Sequence, residues 1–182
     1  LINCAEIVMF KGKAMGKNRI QYFDTPILND FLKNVELDSK LKEAVFENNF
    51  LLYYQPQYYA GNRKLRGVEA LIRWKDGNGR MISPAKFIPI AEKNGTIIPI
   101  GNWVLEQSIR TFSEWRNRYG VPFVLSVNIS ALQYQKEDFV ESLLNIIHKY
   151  DVDPDEIELE ITESILIDDF SAVTEKMQLL KE

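Results

Sequence analysis

Three segments of the sequence alternate apolar and polar residues, which is the period of a β-strand with one face in a core. The polar positions of the three segments include Glu69, Asn128 and Glu160, one in each segment. Carboxylate and amide oxygens are hard ligands that suit Mg²⁺ or Mn²⁺ and not zinc. Since a buried carboxylate without a partner is costly, such side chains meeting inside a fold need a cation. The residue types and spacing therefore predict a divalent-metal site.

Alternation alone fits equally well an antiparallel sheet with one face in water. Helical patterns between the segments favour parallel strands, because each parallel crossover needs a helix. Asn128 and Glu160 are 32 residues apart, about one βαβ repeat. We therefore predict an α/β fold in which helices cover the apolar faces and the polar faces point into the interior. The predicted strands are 50–55 (ended by Pro56), 67–74, 123–130 and 156–162, and the predicted helices are 84–94, 102–120, 137–150 and 169–182.

The first 48 residues have a different pattern. A helix over residues 1–15 is predicted to end at Gly16, and a short strand to follow at 19–23. Two helical pieces, one from Thr25 and one from Leu37, are predicted to connect two folded units. The first of them has a side formed by Ile27, Leu28, Phe31, Leu32 and Val35.

Several features predict an excerpt from a longer protein. The first residue is Leu, and the helical period of the last segment continues to Glu182 without a closing glycine or proline. Residues 49–182 number 134, whereas an eight-unit β/α barrel needs about 250. We expect half a barrel.

Charge and composition limit the partners and the compartment. The net charge is −4 and no basic run offsets it, which argues against binding to a nucleic-acid duplex. Cys4 is the only cysteine, so the chain can form no internal disulfide and fits a reducing compartment, which predicts a cytoplasmic location. No stretch of about 18 apolar residues predicts a membrane span, although an upstream anchor stays open.

Five blocks resemble, in order, the EAL domain of bacterial cyclic diguanylate phosphodiesterases. They are Tyr-Gln-Pro at 54–56, Gly-Val-Glu-Ala-Leu-Ile-Arg-Trp at 67–74, Ser-Pro-Ala-Lys-Phe-Ile-Pro at 83–89, Ser-Val-Asn-Ile-Ser at 126–130 and Glu-Leu-Glu-Ile-Thr-Glu-Ser at 158–164. The resemblance covers roughly residues 37–182. It implies the first half of a modified TIM (β/α)8 barrel whose first strand runs antiparallel to the others. Separately, residues 5–23 resemble the end of a GGDEF diguanylate cyclase domain.

The resemblance also implies roles for individual residues. Glu69, Asn128 and Glu160 would be metal ligands, with Glu69 also catalytic. Gln55 would read a guanine base, Arg73 would hold a phosphate, and Leu71 would belong to the same substrate-binding set. Glu163 would be a catalytic residue that steadies an active-site loop.

The implied activity is hydrolysis of cyclic diguanylate to the linear dinucleotide by the parent protein, with two Mg²⁺ or Mn²⁺ ions in the complete domain. The family's Asp-Asp pair and lysine lie on later strands, so we expect the chain alone to be inactive. Asp168 and Asp169 do not substitute, because they follow Glu163 too closely. The alternative is a degenerate domain that binds cyclic diguanylate without cleaving it.

The implied domains are a GGDEF tail at 1–24, a helical connector at 25–48 and the N-terminal part of an EAL domain at 49–182. A homodimer through the connector is a further predicted partnership. The parent's cyclase activity stays open, since the cyclase signature is absent from this chain.

Overall fold

The structure is a computed structural model that describes residues 2–14, 16, 18, 20, 22–47, 49–120, 123–161 and 170–180. After residue 50, three consecutive strands are followed by two helices, and the last two strands of the sheet are each followed by helices. The elements are α1 (Ile2–Ala14), α2 (Thr25–Glu47), β1 (Phe50–Tyr58), β2 (Leu65–Lys75), β3 (Met81–Ile82), α3 (Pro84–Asn94), α4 (Ile97–Tyr119), β4 (Val124–Ile129), α5 (Ala131–Tyr134), α6 (Phe139–Lys149), β5 (Ile157–Ile161) and α7 (Phe170–Leu179).

One mixed sheet positions all the candidate site residues that the structure describes. Its strands lie in the order β1-β2-β4-β5, and the short β3 pairs with β2 as an antiparallel hairpin. The pairs β2–β4 and β4–β5 are parallel, whereas β1 is antiparallel to β2. The predicted α/β fold with parallel strands is confirmed, and so is the antiparallel first strand that the resemblance implied.

The core lies between one face of the sheet and the helices. Apolar residues of β2 and β4 alternate into this layer, and the facing helices present large side chains at helical spacing. The fully buried members include Trp74, Phe87, Ile109, Phe112, Leu125 and Val127. Burial of this face leaves the opposite face, which carries the polar side chains, as the inner surface of the sheet.

Between residues 50 and 161, two boundaries differ from the sequence-based prediction by three residues or more, and the others lie within two residues of it. β1 continues through Pro56 to Tyr58, because it pairs only with β2 in the described sheet and an edge strand tolerates a missing N–H. α4 begins at Ile97 and not at Asn102, so Gly101 lies inside the helix. A Cβ at Gly101 would lie 2.2 Å from Oε1 of the buried Gln133, which explains a glycine at this helical position.

The N-terminal part also differs from the prediction. Residues 20, 22 and 23 do not form the predicted strand, since no neighbouring strand pairs with them among the described residues. The two predicted helical pieces form the single helix α2, whose predicted apolar side is largely exposed: Phe31, Leu32 and Val35 are 43, 53 and 51% exposed. The last helix ends at Leu179 and Leu180 lies in a turn, while the remainder of its predicted range, 181–182, lies outside the described residues. Within the described residues, no helix has the length and apolarity to cross a membrane.

Gly67 permits the close approach of β2 and β4. A Cβ at this position would lie 2.3 Å from the Val124 carbonyl oxygen, a backbone atom that cannot move without shifting the strand. We expect Gly67→Ala to lower the free energy of unfolding by about 1–3 kcal/mol, the usual cost of overpacking. Chemical denaturation measures the change.

Gly61→Ala is the matched control, because a Cβ there meets no atom within 4 Å. It should be neutral or slightly stabilising. Equal effects of the two substitutions would contradict the packing role of Gly67.

Asp76 organises the turn that ends β2 and leads to β3. Its Oδ1 accepts hydrogen bonds from the N–H groups of Asn78 (3.0 Å) and Arg80 (2.8 Å), and its Oδ2 accepts one from Arg80 Nε at 3.0 Å. These bonds, led by the Arg80 backbone N–H, lower the pKa of Asp76 from its ordinary 3.8. A lowered folded-state pKa stabilises the fold above pH 3.8, and this contribution is lost as the pH falls through the folded-state pKa.

We therefore expect Asp76→Asn to destabilise the protein more at pH 7 than at pH 3. Urea denaturation of both proteins across this range measures the gap. A gap that stays constant with pH would show that the carboxylate charge contributes nothing to the turn.

Candidate active site

The strand register brings the candidate residues to one face of the sheet. Gln55 on β1 pairs with Glu69 on β2, and Glu69 pairs with Ser126 on β4. On the next pair of strands, Asn128 lies beside Glu160. Directly paired residues of a sheet project to the same side, so these side chains share the inner face opposite the core.

Glu69 and Asn128 are in direct contact although 59 residues separate them in sequence. Nδ2 of Asn128 donates a hydrogen bond to Oε1 of Glu69 at 2.7 Å. Glu69 is half-buried and Asn128 is exposed on the inner face. This bond uses the side-chain nitrogen of Asn128. No described residue donates a hydrogen bond to the side-chain oxygen Oδ1, which is therefore available as a metal ligand.

Glu160 lies in an environment that disfavours its charge. Burial, and next the negative charge of Glu69, raise the pKa of Glu160 above its ordinary 4.5. Glu158 contributes a further smaller rise, while Ser126 and Gln57 lie near enough to lower the pKa by hydrogen bonding. The two carboxylates together form an anionic site that a cation would stabilise.

Ser126 is fully buried between Glu69 and Glu158 in the register, and its hydroxyl has no hydrogen-bond partner of ordinary geometry. A buried hydroxyl without a partner is uncommon in folded proteins. It marks the space between the carboxylates as polar.

Arg73 and its neighbours form the other end of the inner face. Nη1 of Arg73 donates to the carbonyl oxygen of Ile72 at 2.8 Å, and the guanidinium carbon lies 5.4 Å from the centre of the Tyr53 ring. Leu71 is half-buried and pairs with Tyr53 across the strands, while Gln55 is exposed. Glu163, the other predicted catalytic residue, lies outside the described residues.

The sequence analysis missed a network of polar contacts around Arg66, near the carboxylates of the site. Arg66 forms an ion pair with Glu158, and its Nη1 donates to Oε1 of Gln57 at 2.8 Å. Strand alternation places Arg66 on the opposite face from Glu69, so the pattern gave no signal for this contact. The register of β1 and β2, however, shifts between Gln57 and Tyr58, so Arg66 has no directly paired residue on β1. Such an irregularity interrupts the alternation and redirects the side chain.

A cavity of about 360 Å³ opens beside the strand ends. Its walls include Glu69, Leu71, Arg73 and Asn128 from the sheet, together with the beginnings of α3 and α4. The volume lies within the usual range for small-molecule sites. Four predicted site residues therefore line the same cavity: Glu69, Leu71 and Arg73 of β2, and Asn128 of β4.

The donor set fits a divalent cation. Two carboxylates, one free amide oxygen and an unpartnered buried hydroxyl converge, and oxygen donors of this kind suit Mg²⁺ or Mn²⁺. In the part of the chain that the structure describes, no group of three or more His, Cys, Asp or Glu residues forms a metal cluster, so the amide of Asn128 is needed as third ligand. The predicted ligands Glu69, Asn128 and Glu160 are the set that would hold the ion.

Fold and site together define an α/β protein with an acidic site on the inner face of a mostly parallel sheet. Residues 38–182 match the family described as EAL domain, and the chain belongs to that family.

Characterised relatives support the assignment. The chain is 39% identical over 136 residues to the cyclic di-GMP phosphodiesterase PA2567 of Pseudomonas aeruginosa, covering 74% of this chain and 23% of the relative. It is 33% identical over 168 residues to the bifunctional diguanylate cyclase/cyclic di-GMP phosphodiesterase MucR of the same organism, covering 92% of this chain and 24% of the relative. The chain thus spans about a quarter of the length of these relatives.

A solved structure of the phosphodiesterase PaMucR in complex with c-di-GMP has a similar fold. The TM-score is 0.76 at 34% identity, and the match covers 80% of this chain and 59% of that one.

The unpartnered hydroxyl of Ser126 has a measurable consequence. If it forms no bond, Ser126→Ala removes a buried unsatisfied group, and the chelator-treated protein should gain about 1 kcal/mol in free energy of unfolding. Denaturation in the presence of EDTA measures this change.

Ser108→Ala is the matched control, because Ser108 is equally buried but its Oγ donates to the Leu105 carbonyl oxygen at 3.1 Å. This substitution should destabilise. A comparable loss on Ser126→Ala would show that the hydroxyl does hold Glu160.

Proposed function

We propose that the protein to which this chain belongs hydrolyses cyclic diguanylate (c-di-GMP) to the linear dinucleotide in a metal-dependent reaction. The observation that carries the proposal is the convergence of Glu69, Asn128 and Glu160 on one face of the sheet. The similarity to proteins described as cyclic di-GMP phosphodiesterases supports the choice of substrate. The complex of PaMucR with c-di-GMP supports it further.

In this proposal Glu69, Asn128 and Glu160 bind Mg²⁺ or Mn²⁺ through their oxygen atoms. A bound divalent cation supplies Lewis-acid stabilisation for attack of water on a phosphodiester. Asn128 keeps Glu69 in place through its amide N–H. The hydrogen bond from Nη1 to the Ile72 carbonyl oxygen fixes one edge of the Arg73 guanidinium and leaves the other donors for a phosphate.

Gln55 lies directly across from Glu69, and Arg73 lies four residues further along β2, about 13 Å along the strand. Its exposed amide offers both a donor and an acceptor, which suits the edge of a guanine base. Leu71 between Glu69 and Arg73 supplies apolar contact in the same cavity. The proposed role of Glu163, to steady an active-site loop, rests only on the resemblance to the family.

The domain organisation is part of the proposal. Residues 49–182 form the N-terminal part of an EAL domain, residues 25–48 a connector helix, and residues 1–24 the tail of a GGDEF domain. The bifunctional relative MucR supports a cyclase unit before the EAL domain. A cytoplasmic location and a homodimer stay predictions.

Substitution of a proposed metal ligand tests the reaction. In the complete protein we expect Glu69→Ala to reduce Mn²⁺-dependent hydrolysis of c-di-GMP at least about a hundredfold, because it removes one ligand and the partner of Asn128. Product formation is followed by chromatography, and Mn²⁺ binding by calorimetric titration. Glu141→Ala is the control, since Glu141 is an exposed carboxylate on α6 outside the site.

Hydrolysis at a near-normal rate by Glu69→Ala would remove Glu69 from the mechanism. Binding of c-di-GMP by the wild-type protein without cleavage would identify a receptor and reject the hydrolase. Binding of neither metal nor dinucleotide would reject both.

A further inference from the structure

An exposed tyrosine lies within the site and has no role in the proposed function. Tyr53 is 54% exposed on β1 and pairs with Leu71. It lies two residues from Gln55 on the same strand, so both side chains project from the same face about 6.6 Å apart along the strand. The ring therefore lies on the inner face between the proposed base reader and Arg73.

The ring of Tyr53 is in contact with Arg73. The guanidinium carbon lies 5.4 Å from the ring centre, which is within the range of a cation–π interaction. Together with the hydrogen bond from Nη1 to the Ile72 carbonyl oxygen, this contact holds the guanidinium from two sides. A guanidinium held in this way loses less conformational freedom when it binds an anion.

Exposure of the ring leaves apolar aromatic surface open to a ligand. An aromatic face beside a fixed arginine is the combination that binds nucleotides, since the ring stacks on a base while the cation contacts the phosphate. Tyr58 and Tyr59 are similarly exposed, at 59 and 52%, but they lie at the other end of β1, away from Arg73. Only Tyr53 of these three combines exposure with contact to a proposed substrate-binding residue.

We propose that Tyr53 binds substrate by stacking on a purine base of the cyclic dinucleotide, and that the same ring positions Arg73 for the phosphate. This inference rests on the proposed function and adds a residue to it. Since stacking and phosphate contact act in the bound substrate and in the transition state alike, their loss raises KM and leaves kcat nearly unchanged.

The test compares variants of Tyr53 in the complete protein with c-di-GMP and Mn²⁺. Tyr53→Ala should raise KM about tenfold, within the range for loss of one stacked base, and change kcat less than about twofold. Tyr53→Phe keeps the aromatic face and should retain wild-type KM. Tyr58→Ala is the control, because it removes an equally exposed tyrosine of the same strand. Mn²⁺ affinity, measured by calorimetry, should be the same in all variants.

Tyr53→Leu guards against misfolding, since it keeps apolar bulk without an aromatic face, and it should behave like Tyr53→Ala. An unchanged KM in Tyr53→Ala would overturn the inference while leaving the hydrolase intact. Equal defects in Tyr53→Phe and Tyr53→Ala would overturn stacking in favour of the hydroxyl. Joint losses of Mn²⁺ affinity and kcat in the Ala and Leu variants would show a merely structural role and also overturn it. A wild-type protein that neither binds nor cleaves c-di-GMP would reject the proposed function itself.

Discussion

The parallel pairing of β2, β4 and β5 is the constraint on which the site depends. Their register places Glu69 beside Ser126 and Asn128 beside Glu160, although these residues are far apart in sequence. Burial of the opposite face against the helices holds this register, because a slip of one residue would turn Leu125 and Val127 out of the core. The same burial that stabilises the fold therefore forces the carboxylates together.

That convergence has an electrostatic cost. Burial and the charge of Glu69 raise the pKa of Glu160, so the fold disfavours the ionised form that a metal needs. The nearby Arg66 interacts mainly with Glu158 and Gln57, and its attraction to Glu160 is a smaller effect. Glu69 and Glu160 therefore form an anionic pair that an added cation would stabilise. Functional sites commonly keep groups that are unfavourable until a ligand binds.

Sequence periodicity predicted the parallel strands and the proximity of Asn128 to Glu160, because side-chain alternation and repeat length are local properties. Periodicity failed to predict features that depend on a neighbouring strand or on a side chain distant in sequence. Pro56 remains in β1 because β1 is an edge strand of the described sheet. α4 begins at Ile97 and not at Asn102, and Gly101 inside it leaves the space that Gln133 occupies. The Arg66 contact forms where the register of β1 and β2 shifts, between Gln57 and Tyr58. The roles of the site residues came from family resemblance and not from periodicity.

The reversed direction of β1 explains how recognition groups lie beside the catalytic strand. In an antiparallel pair the residues of β1 run backwards along β2, so Gln55, Tyr53 and Leu51 lie opposite Glu69, Leu71 and Arg73 in that order. The amide of Gln55, the proposed base reader, is therefore nearest the proposed metal ligand, and the aromatic ring of Tyr53 lies nearer Arg73. On each of the two strands, every second side chain projects from this face. The groups proposed for base, sugar-phosphate and metal therefore lie in one row along the pair of strands. A parallel first strand would need a crossover helix before it could pair with β2, whereas this pair needs only the short connection from Tyr58 to Leu65.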